Sequence, residues 1–150
     1  MTIDDENDGR WLKARVGAKG FRADIEARHH RLSADEPESV GGTDAGPTPY
    51  EYLLIALASC TAMTMRAYAN RKSWPLSAAT VFVRQGHSHE IDCENCETQS
   101  VGIERIERRI ELEGDLTDEQ RNRILAIADR CPIKQTLMRG IQVEASAGAS

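Results

Sequence analysis

The chain has no excess of basic charge with which to attract a polyanion. Its 150 residues contain 19 Lys and Arg against 24 Asp and Glu, which gives a net charge of −5. The arginines of residues 105–109 are interleaved with glutamates and form no basic patch in the sequence. Binding to a phosphate backbone depends on clustered positive charge. We therefore predict that nucleic acid is not a partner.

The chain also has little that would place it in a membrane or export it. The apolar stretch at residues 53–62 is shorter than the roughly 20 residues that a transmembrane helix needs. Residues 1–6 are largely acidic, whereas a secretory signal peptide starts with a positively charged region. The sequence therefore predicts a cytoplasmic protein with no membrane partner.

Cysteine is scarce, with four residues in the chain. The cytosol keeps thiols reduced, so structural disulfides are rare in its proteins and a disulfide framework is not expected here. Cysteines in such a protein more often serve catalysis or bind a metal. The four cysteines are therefore candidates for function.

Length and composition predict one domain. A chain of 150 residues, 40% of them hydrophobic, has room for one domain with a sizeable core. Residues 1–10 are polar and acidic, and residues 146–150 have no large apolar side chain to bury. We predict that both ends are flexible and that residues 11–145 form the domain.

The first half of the domain shows a change from alternating to helical patterning. Residues 12–16 and 21–27 alternate apolar and polar side chains around a glycine-containing turn, which predicts a β-hairpin, with a short third strand near residues 31–33. A helix is predicted over residues 49–71, since Thr48 and a glutamate three residues later form a capping box. Its apolar residues surround the axis, so we expect burial on most sides.

The second half predicts two more strands and a second helix, and its middle is ambiguous. Residues 103–112 fit either a helix or a strand, and their β-branched content favours a strand. Thr117 and Gln120 form another capping box, and the helix that they open places Cys131 toward the core. The other patterns predict strands at 76–84 and 141–145 and a turn or short helix at 132–140. The order of elements indicates the α+β class.

Two cysteines lie in unusual surroundings. Cys60 lies within the apolar stretch of the long predicted helix, and Cys131 precedes Pro132 at the end of the second helical pattern. Either residue alone is most simply a small side chain in the core. Together the two thiols can form a reversible dithiol couple, so we predict redox chemistry if they meet in space.

Both cysteine contexts resemble those of the OsmC/Ohr family. The resemblance rests on Gly-Pro-Thr-Pro-Tyr-Glu-Tyr-Leu-Leu at residues 46–54, Ala-Ser-Cys-Thr-Ala-Met at 58–63 and Ala-Asp-Arg-Cys-Pro at 128–132. The step from Pro49 to Cys60 agrees as well, and the resemblance extends over residues 21–143.

This resemblance implies a fold and an activity. The fold would be an intertwined homodimer in which antiparallel sheets wrap two long central helices, with the active site at the subunit interface. The activity would be that of an antioxidant peroxidase acting on organic hydroperoxides during oxidative stress. Cys60 would become a sulfenic acid and Cys131 would resolve it into a disulfide. A lipoyl-type or thioredoxin-like dithiol would then restore the thiols, and no cofactor is expected.

Two further site residues follow from the resemblance, and the chain departs from the family pattern at both. Peroxidase members use an arginine from the first hairpin, for which Arg22 is the first candidate and Lys19, its neighbour in the turn, the alternative. Their glutamate follows the proline equivalent to Pro49, but here Tyr50 holds that position and Glu51 comes next. Glu51 also completes the capping box with Thr48, so capping and catalysis both remain open for it, and Tyr50 can offer its hydroxyl instead.

Apolar side chains of the same helix are candidates for a hydroperoxide pocket. They are Tyr50, Leu53, Leu57 and Met63. The displaced glutamate also supports an alternative function, in which a non-catalytic or weakly active family member binds a small apolar ligand at the dimer groove.

A second group of potential ligands lies between residues 87 and 96. It contains His87, His89, Cys93 and Cys96, whose imidazoles and thiols can bind structural zinc. The Cys-x-x-Cys pair can alternatively serve as a second redox pair, and the acidic residues around it suit a solvated loop without any ligand. All three interpretations remain open at this point.

Overall fold

The computed structural model describes residues 11–86 and 105–148. The chain divides into two compact units, Met1–Leu53 and Leu54–Ser150. The first unit contains the N-terminal strands and the loop that leads to the long helix. The second contains most of that helix, a two-stranded sheet and two shorter helices.

The first unit contains a three-stranded antiparallel sheet in the order β1-β2-β3. Its strands are β1 at Lys13–Val16, β2 at Ala23–Ala27 and β3 at His30–Ala34. The turn between β2 and β3 is tight, and Arg28 adopts a left-handed conformation there with φ of 56°. The predicted hairpin and its short third strand are therefore confirmed.

A buried carboxylate organises the loop that follows β3. Asp35 accepts hydrogen bonds from the backbone N–H groups of Glu36, Thr43 and Ala45 and from the Thr43 hydroxyl, at 2.6–3.2 Å. Gly46 follows in the same loop, and a side chain there would overlap the Ser33 carbonyl. These contacts make the loop compact and fix the segment that leads into the long helix.

We expect Asp35→Asn to destabilise the chain and to change how its stability depends on pH. The Thr43 hydroxyl, with the three N–H groups, outweighs burial and lowers the Asp35 pKa from 3.8 to about 2. A carboxyl with a lowered folded pKa stabilises the fold above its unfolded pKa and loses that contribution as the pH falls toward 2. Urea unfolding at several pH values should therefore show that the free energy of unfolding falls more steeply below about pH 4 in the unmodified protein than in Asp35→Asn.

The matched control for this prediction is Asp24→Asn, because Asp24 is an exposed carboxylate on β2 in the same unit. We expect it to change the free energy of unfolding at neutral pH much less than Asp35→Asn. Equal effects of the two substitutions would contradict the role assigned to Asp35.

The long helix α1 spans Pro49–Lys72. Its start is stabilised by the predicted capping box: the Thr48 N–H donates to the Glu51 carboxylate at 2.8 Å, and the Glu51 N–H donates to the Thr48 hydroxyl at 3.2 Å. Its length and composition would suffice to cross a membrane, a property that the core helices of globular proteins share. The predicted helix is confirmed, with its end one residue beyond the expected position.

The expectation that α1 is buried on most sides is wrong for the single chain. Its buried residues are Leu57, Thr61, Met65, Tyr68 and Ala69, which recur at helical spacing. On other sides Ile55 is exposed and Met63 is 69% exposed. Apolar residues surround the axis, but the elements within residues 11–86 and 105–148 of one chain do not cover every side of the helix.

The second unit pairs β4 at Leu76–Gln85 with β5 at Ile106–Gly114 in an antiparallel sheet. Residues 106–112 of the ambiguous segment therefore lie in a strand, as favoured from its β-branched residues. Two helices follow, α2 at Asp118–Ala128 and α3 at Pro132–Arg139. The Thr117–Gln120 capping box is present at the start of α2. Together with α1 and the sheets, these elements make the chain α+β, as predicted.

The core of the second unit lies between α1, α2 and the sheet. Its buried residues come from α1, the flanks of the sheet and α2, and they are Met65, Tyr68, Ala69, Leu76, Leu116, Ile124, Ile127 and Ala128. The inward residues of β4 and β5, including Val81, Ile110 and Leu112, pack against them. This packing holds the end of α2 close to the middle of α1.

The predicted last strand at residues 141–145 is wrong. The segment has no regular secondary structure, and Val143 is 86% exposed. Alternation of apolar residues produces a strand only where a neighbouring strand supplies hydrogen bonds. Within the described parts of this chain, no strand pairs with this segment.

Candidate active site

The structure brings Cys60 and Cys131 together. Cys60 lies in the middle of α1 and is half-buried, whereas Cys131 lies between α2 and α3 and is 0% exposed. Each side chain lies close enough to shift the pKa of the other, and both are free thiols. The condition set from the sequence, that the two thiols meet in space, is met.

The position of Cys131 follows from the way that α2 ends. The inward face of α2 carries Ile124, Ile127 and Ala128 into the core. The Cys131 N–H then donates to the Ala128 carbonyl at 3.3 Å, and Pro132 starts α3 with Cys131 as its N-cap residue. Proline favours the first position of a helix, since its ring sets the required φ and it has no N–H to leave unpaired.

The two thiols differ in acidity because of their surroundings. Burial raises the pKa of Cys60, and the hydrogen bond with Cys131 raises it further. Burial also acts to raise the pKa of Cys131, but donors from Lys134, Cys60, Thr61 and Ile133 outweigh it and lower that pKa. Two of these donors are N–H groups in the first turn of α3, where the helix dipole also favours negative charge. The first negative charge of the pair therefore lies on Cys131.

A basic side chain lies next to this pair. Arg108 of β5 donates to the Ala128 carbonyl at 3.2 Å and to the Thr61 hydroxyl oxygen at 3.4 Å, and it pairs with Asp129 at 2.6 Å. Lys134 contacts the same oxygen of Asp129 at 2.8 Å. Two cations therefore share one carboxylate, which leaves a net positive charge beside the buried thiol.

Arg108 and Thr61 were not predicted from the sequence. The alternation of Ile106, Arg108, Ile110 and Leu112 placed Arg108 on the inward face of a strand, which was the signal that could have identified it. We used the arginines of this segment only to argue that the sequence has no basic patch. Thr61 follows Cys60 directly, but its hydroxyl had no feature in the sequence that distinguishes it from an ordinary helix residue.

Arg22 and Glu51 each have a local partner in the first unit. Arg22 lies in the segment before β2 and pairs with Asp24 at 3.3 Å, with most of its side chain exposed. The Glu51 carboxylate accepts the N–H of Thr48 and so serves as a helix cap. Nine residues separate Glu51 from Cys60, which is roughly half a turn around α1 at about 100° per residue. Their catalytic roles stay predictions.

The predicted pocket residues differ in exposure along α1. Leu57 is buried, Leu53 is half-buried, and Tyr50 and Met63 are exposed. Leu57 precedes Thr61 by four residues, and its carbonyl accepts the Thr61 hydroxyl at 2.8 Å. Contact with a hydroperoxide stays a prediction for all four residues.

The zinc candidates His87, His89, Cys93 and Cys96 lie outside the described residues. Within residues 11–86 and 105–148, no group of three or more His, Cys, Asp or Glu side chains is arranged to hold a metal ion. The three interpretations of this segment therefore stay as they were.

Known proteins provide an independent comparison. Residues 42–146 match the family model described as OsmC-like protein. A search among curated proteins found no match. Among solved structures, an OsmC-like protein from Mycoplasma pneumoniae has 19% identity and a TM-score of 0.68, with 85% of each chain covered.

Two other structures are named organic hydroperoxide resistance proteins. The one from Legionella pneumophila has 16% identity and a TM-score of 0.58, with coverage of 85% of this chain and 87% of that one. The one from Elizabethkingia anophelis has 15% identity and a TM-score of 0.59, with coverage of 83% and 84%. Similarity at these identities establishes a shared fold, whereas the family model matches more than half of the chain. The chain therefore belongs to the OsmC-like protein family.

Proposed function

We propose that this chain is a cysteine-based peroxidase that reduces organic hydroperoxides through Cys60 and Cys131. The observation that carries the proposal is the pair of neighbouring thiols, of which one member is partly accessible and the other fully buried. A hydroperoxide can approach the partly accessible Cys60 side chain directly. Family membership and relatives named organic hydroperoxide resistance proteins support the choice of substrate.

The exposure of the two cysteines supports their roles. Cys60 is the attacking residue because part of its side chain is accessible, and Cys131 is the resolving residue because it is buried against Cys60. Attack requires a thiolate, yet burial raises the Cys60 pKa. Cys131 overcomes this difficulty by accepting the Cys60 proton as the hydroperoxide reacts.

The reaction balances in two steps. The Cys60 thiolate attacks the outer peroxide oxygen, the O–O bond breaks, and the products are a Cys60 sulfenic acid and an alkoxide, which takes the proton held by Cys131 and leaves as the alcohol. The Cys131 thiolate then attacks the Cys60 sulfur, the S–O bond breaks, and hydroxide leaves as the disulfide forms. The hydroperoxide gains two electrons, and the two sulfurs lose them.

In this proposal the enzyme uses a dithiol reductant and works as a homodimer. A lipoyl-type or thioredoxin-like dithiol exchanges with the Cys60–Cys131 disulfide and returns both thiols. A second copy of the chain forms an intertwined homodimer, which would give the exposed Ile55 and Met63 of α1 apolar surface to pack against. The proposed location is the cytoplasm, where reducing dithiols are maintained.

Peroxide consumption by the purified protein tests the proposal. We expect loss of cumene hydroperoxide when dihydrolipoamide or dithiothreitol is supplied, with turnover well above the same mixture without protein. Mass spectrometry after peroxide treatment without reductant should show a disulfide between Cys60 and Cys131. Failure to consume any hydroperoxide with either reductant would contradict the peroxidase function.

A second candidate function is binding of a small apolar ligand at a dimer groove without catalysis. The observation that favours it is the raised pKa of Cys60, which burial and the bond with Cys131 produce. A thiol of this kind suits the wall of an apolar site. Peroxide treatment distinguishes the two functions. A peroxidase would form the Cys60–Cys131 disulfide, whereas a protein that only binds a ligand would keep both thiols free.

A further inference from the structure

We propose that Arg108 is a positioning residue for the thiol pair, which holds Cys131 against Cys60 through Thr61 and through the last turn of α2. This inference deepens the proposed function and rests on it for its catalytic consequence. None of the catalytic residues expected from the sequence is a basic residue of the second unit. Arg108 is such a residue, and its side chain bonds Thr61, Ala128 and Asp129, which flank the two thiols along the chain.

Arg108 holds the turn that carries Cys131. The Ala128 carbonyl accepts the Cys131 N–H at 3.3 Å and Arg108 at 3.2 Å, and Asp129 in the same turn pairs with Arg108 at 2.6 Å. A planar guanidinium presents donors in a rigid fork, so one side chain can hold two acceptors in a defined geometry. Arg108 therefore fixes the backbone immediately before Cys131.

Arg108 also contacts the Thr61 hydroxyl. Thr61 is fully buried next to Cys60, and its oxygen accepts from Arg108 at 3.4 Å. Its single hydrogen has two possible acceptors, the Leu57 carbonyl at 2.8 Å and the Cys131 sulfur. A hydroxyl that accepts from a cation becomes a better donor. Arg108 therefore strengthens the donor that faces the Cys131 sulfur without touching the sulfur itself.

Arg108 also brings positive charge to this turn. The charged side chains bonded to the turn before Cys131 and the start of α3 are Arg108, Asp129 and Lys134. Arg108 is largely buried, with a side chain 17% exposed, so its charge is screened less by solvent than an exposed one. Removing it would leave one cation and one carboxylate beside the pair. Positive charge near a thiol favours its thiolate, so we expect the loss of Arg108 to raise the pKa of Cys131.

The test reads the thiols directly and needs no peroxide. Thiolate absorbance in the ultraviolet is measured against pH in the reduced full chain, with Cys93 and Cys96 replaced by serine so that only the pair titrates. In this background we expect Arg108→Gln to contain about tenfold less thiolate at a given pH below the midpoint, equivalent to an upward shift of about one pH unit. We also expect slower Cys60–Cys131 disulfide formation with diamide.

Three variants complete the test. Arg109→Gln is the matched control, because Arg109 is the neighbouring arginine of β5 and lies over the Phe82 ring on the outer face. It should titrate like the unmodified pair. Arg108→Lys keeps the charge without the fork and should restore part of the thiolate. Thr61→Val removes the hydroxyl with little change in shape and should shift the titration in the same direction as Arg108→Gln.

The outcomes separate this inference from the proposed function. Equal titrations of Arg108→Gln and Arg109→Gln would overturn it. Should Arg108→Gln fail to fold, Thr61→Val decides: an upward shift supports the inference and an unchanged titration overturns it. A shift in a protein that consumes no hydroperoxide would support the role of Arg108 and contradict the peroxidase function.

Discussion

Cys60→Ser is expected to abolish peroxide consumption, with a loss of at least about a thousandfold. A serine hydroxyl is not ionised near neutral pH, so no nucleophile remains at the accessible position of α1. Cys131 cannot replace Cys60, because it is 0% exposed and a hydroperoxide cannot reach it in the described structure. Consumption of cumene hydroperoxide with dihydrolipoamide measures the loss.

Cys131→Ser should give a different defect, and it is the matched variant for this prediction. The attacking thiol remains, so without reductant each chain should still reduce a hydroperoxide until Cys60 is oxidised, with no disulfide formed. The Cys60 sulfenic acid should then proceed to the sulfinic acid in excess peroxide. The Cys60 sulfenic acid should also form more slowly than in the unmodified protein, since Cys131 no longer accepts the Cys60 proton.

These two variants also test the assignment of the redox centre. A Cys60→Ser protein with full activity would exclude Cys60 as the attacking residue. If a Cys93→Ser/Cys96→Ser protein were inactive while Cys60→Ser was active, the redox pair would instead be the Cys-x-x-Cys pair. Mass spectrometry of peroxide-treated chains identifies the oxidised cysteine in each case.

Ile124→Ala is expected to cause a large loss of stability. Ile124 is fully buried in the core between α1 and α2. Truncating a buried isoleucine loses apolar burial and leaves a cavity, which costs about 2–5 kcal/mol of unfolding free energy, whereas Ile124→Val should cost about 0.5–1.5 kcal/mol. Urea unfolding followed by circular dichroism measures the difference. Because α2 leads into the turn of Cys131, the alanine variant should also form the disulfide more slowly.

Leu125→Ala is the control for this prediction. Leu125 is the next residue of α2 and is 40% exposed, so its truncation removes less buried surface. We expect a cost of about 1 kcal/mol or less. Comparable losses for both substitutions would contradict the placement of Ile124 in the core.

Elements with local signals could be predicted closely. The capping boxes at Thr48 and Thr117 use partners three residues away, so their hydrogen bonds follow from short-range sequence alone. The strand β5 was favoured from its β-branched residues, but its pairing with β4 decided between strand and helix. The strand prediction for residues 141–145 is wrong for the converse reason, because no partner strand for this segment lies among the described residues.

The residues of the candidate site likewise divide into those that local sequence predicts and those that it does not. Cys60 and Cys131 were found because both lie in short motifs that can be compared with a known family. Arg108 was missed because its partners Thr61 and Asp129 are 47 and 21 residues away, and no local pattern records such contacts. The expected burial of α1 was overstated, since helical periodicity shows which residues are apolar but not how many elements cover them.

The helix starts, most of the strands, the pair of cysteines and the resemblance to their family could all be inferred from the order of the residues. Folding was needed to show that Cys131 is buried with donors from α3, that Cys60 is partly accessible, and that Arg108 lies beside them. The physical reason is that the acidity of a thiol depends on burial, hydrogen bonds and nearby charge. Here those groups come from α1, β5 and α3, which only packing brings together.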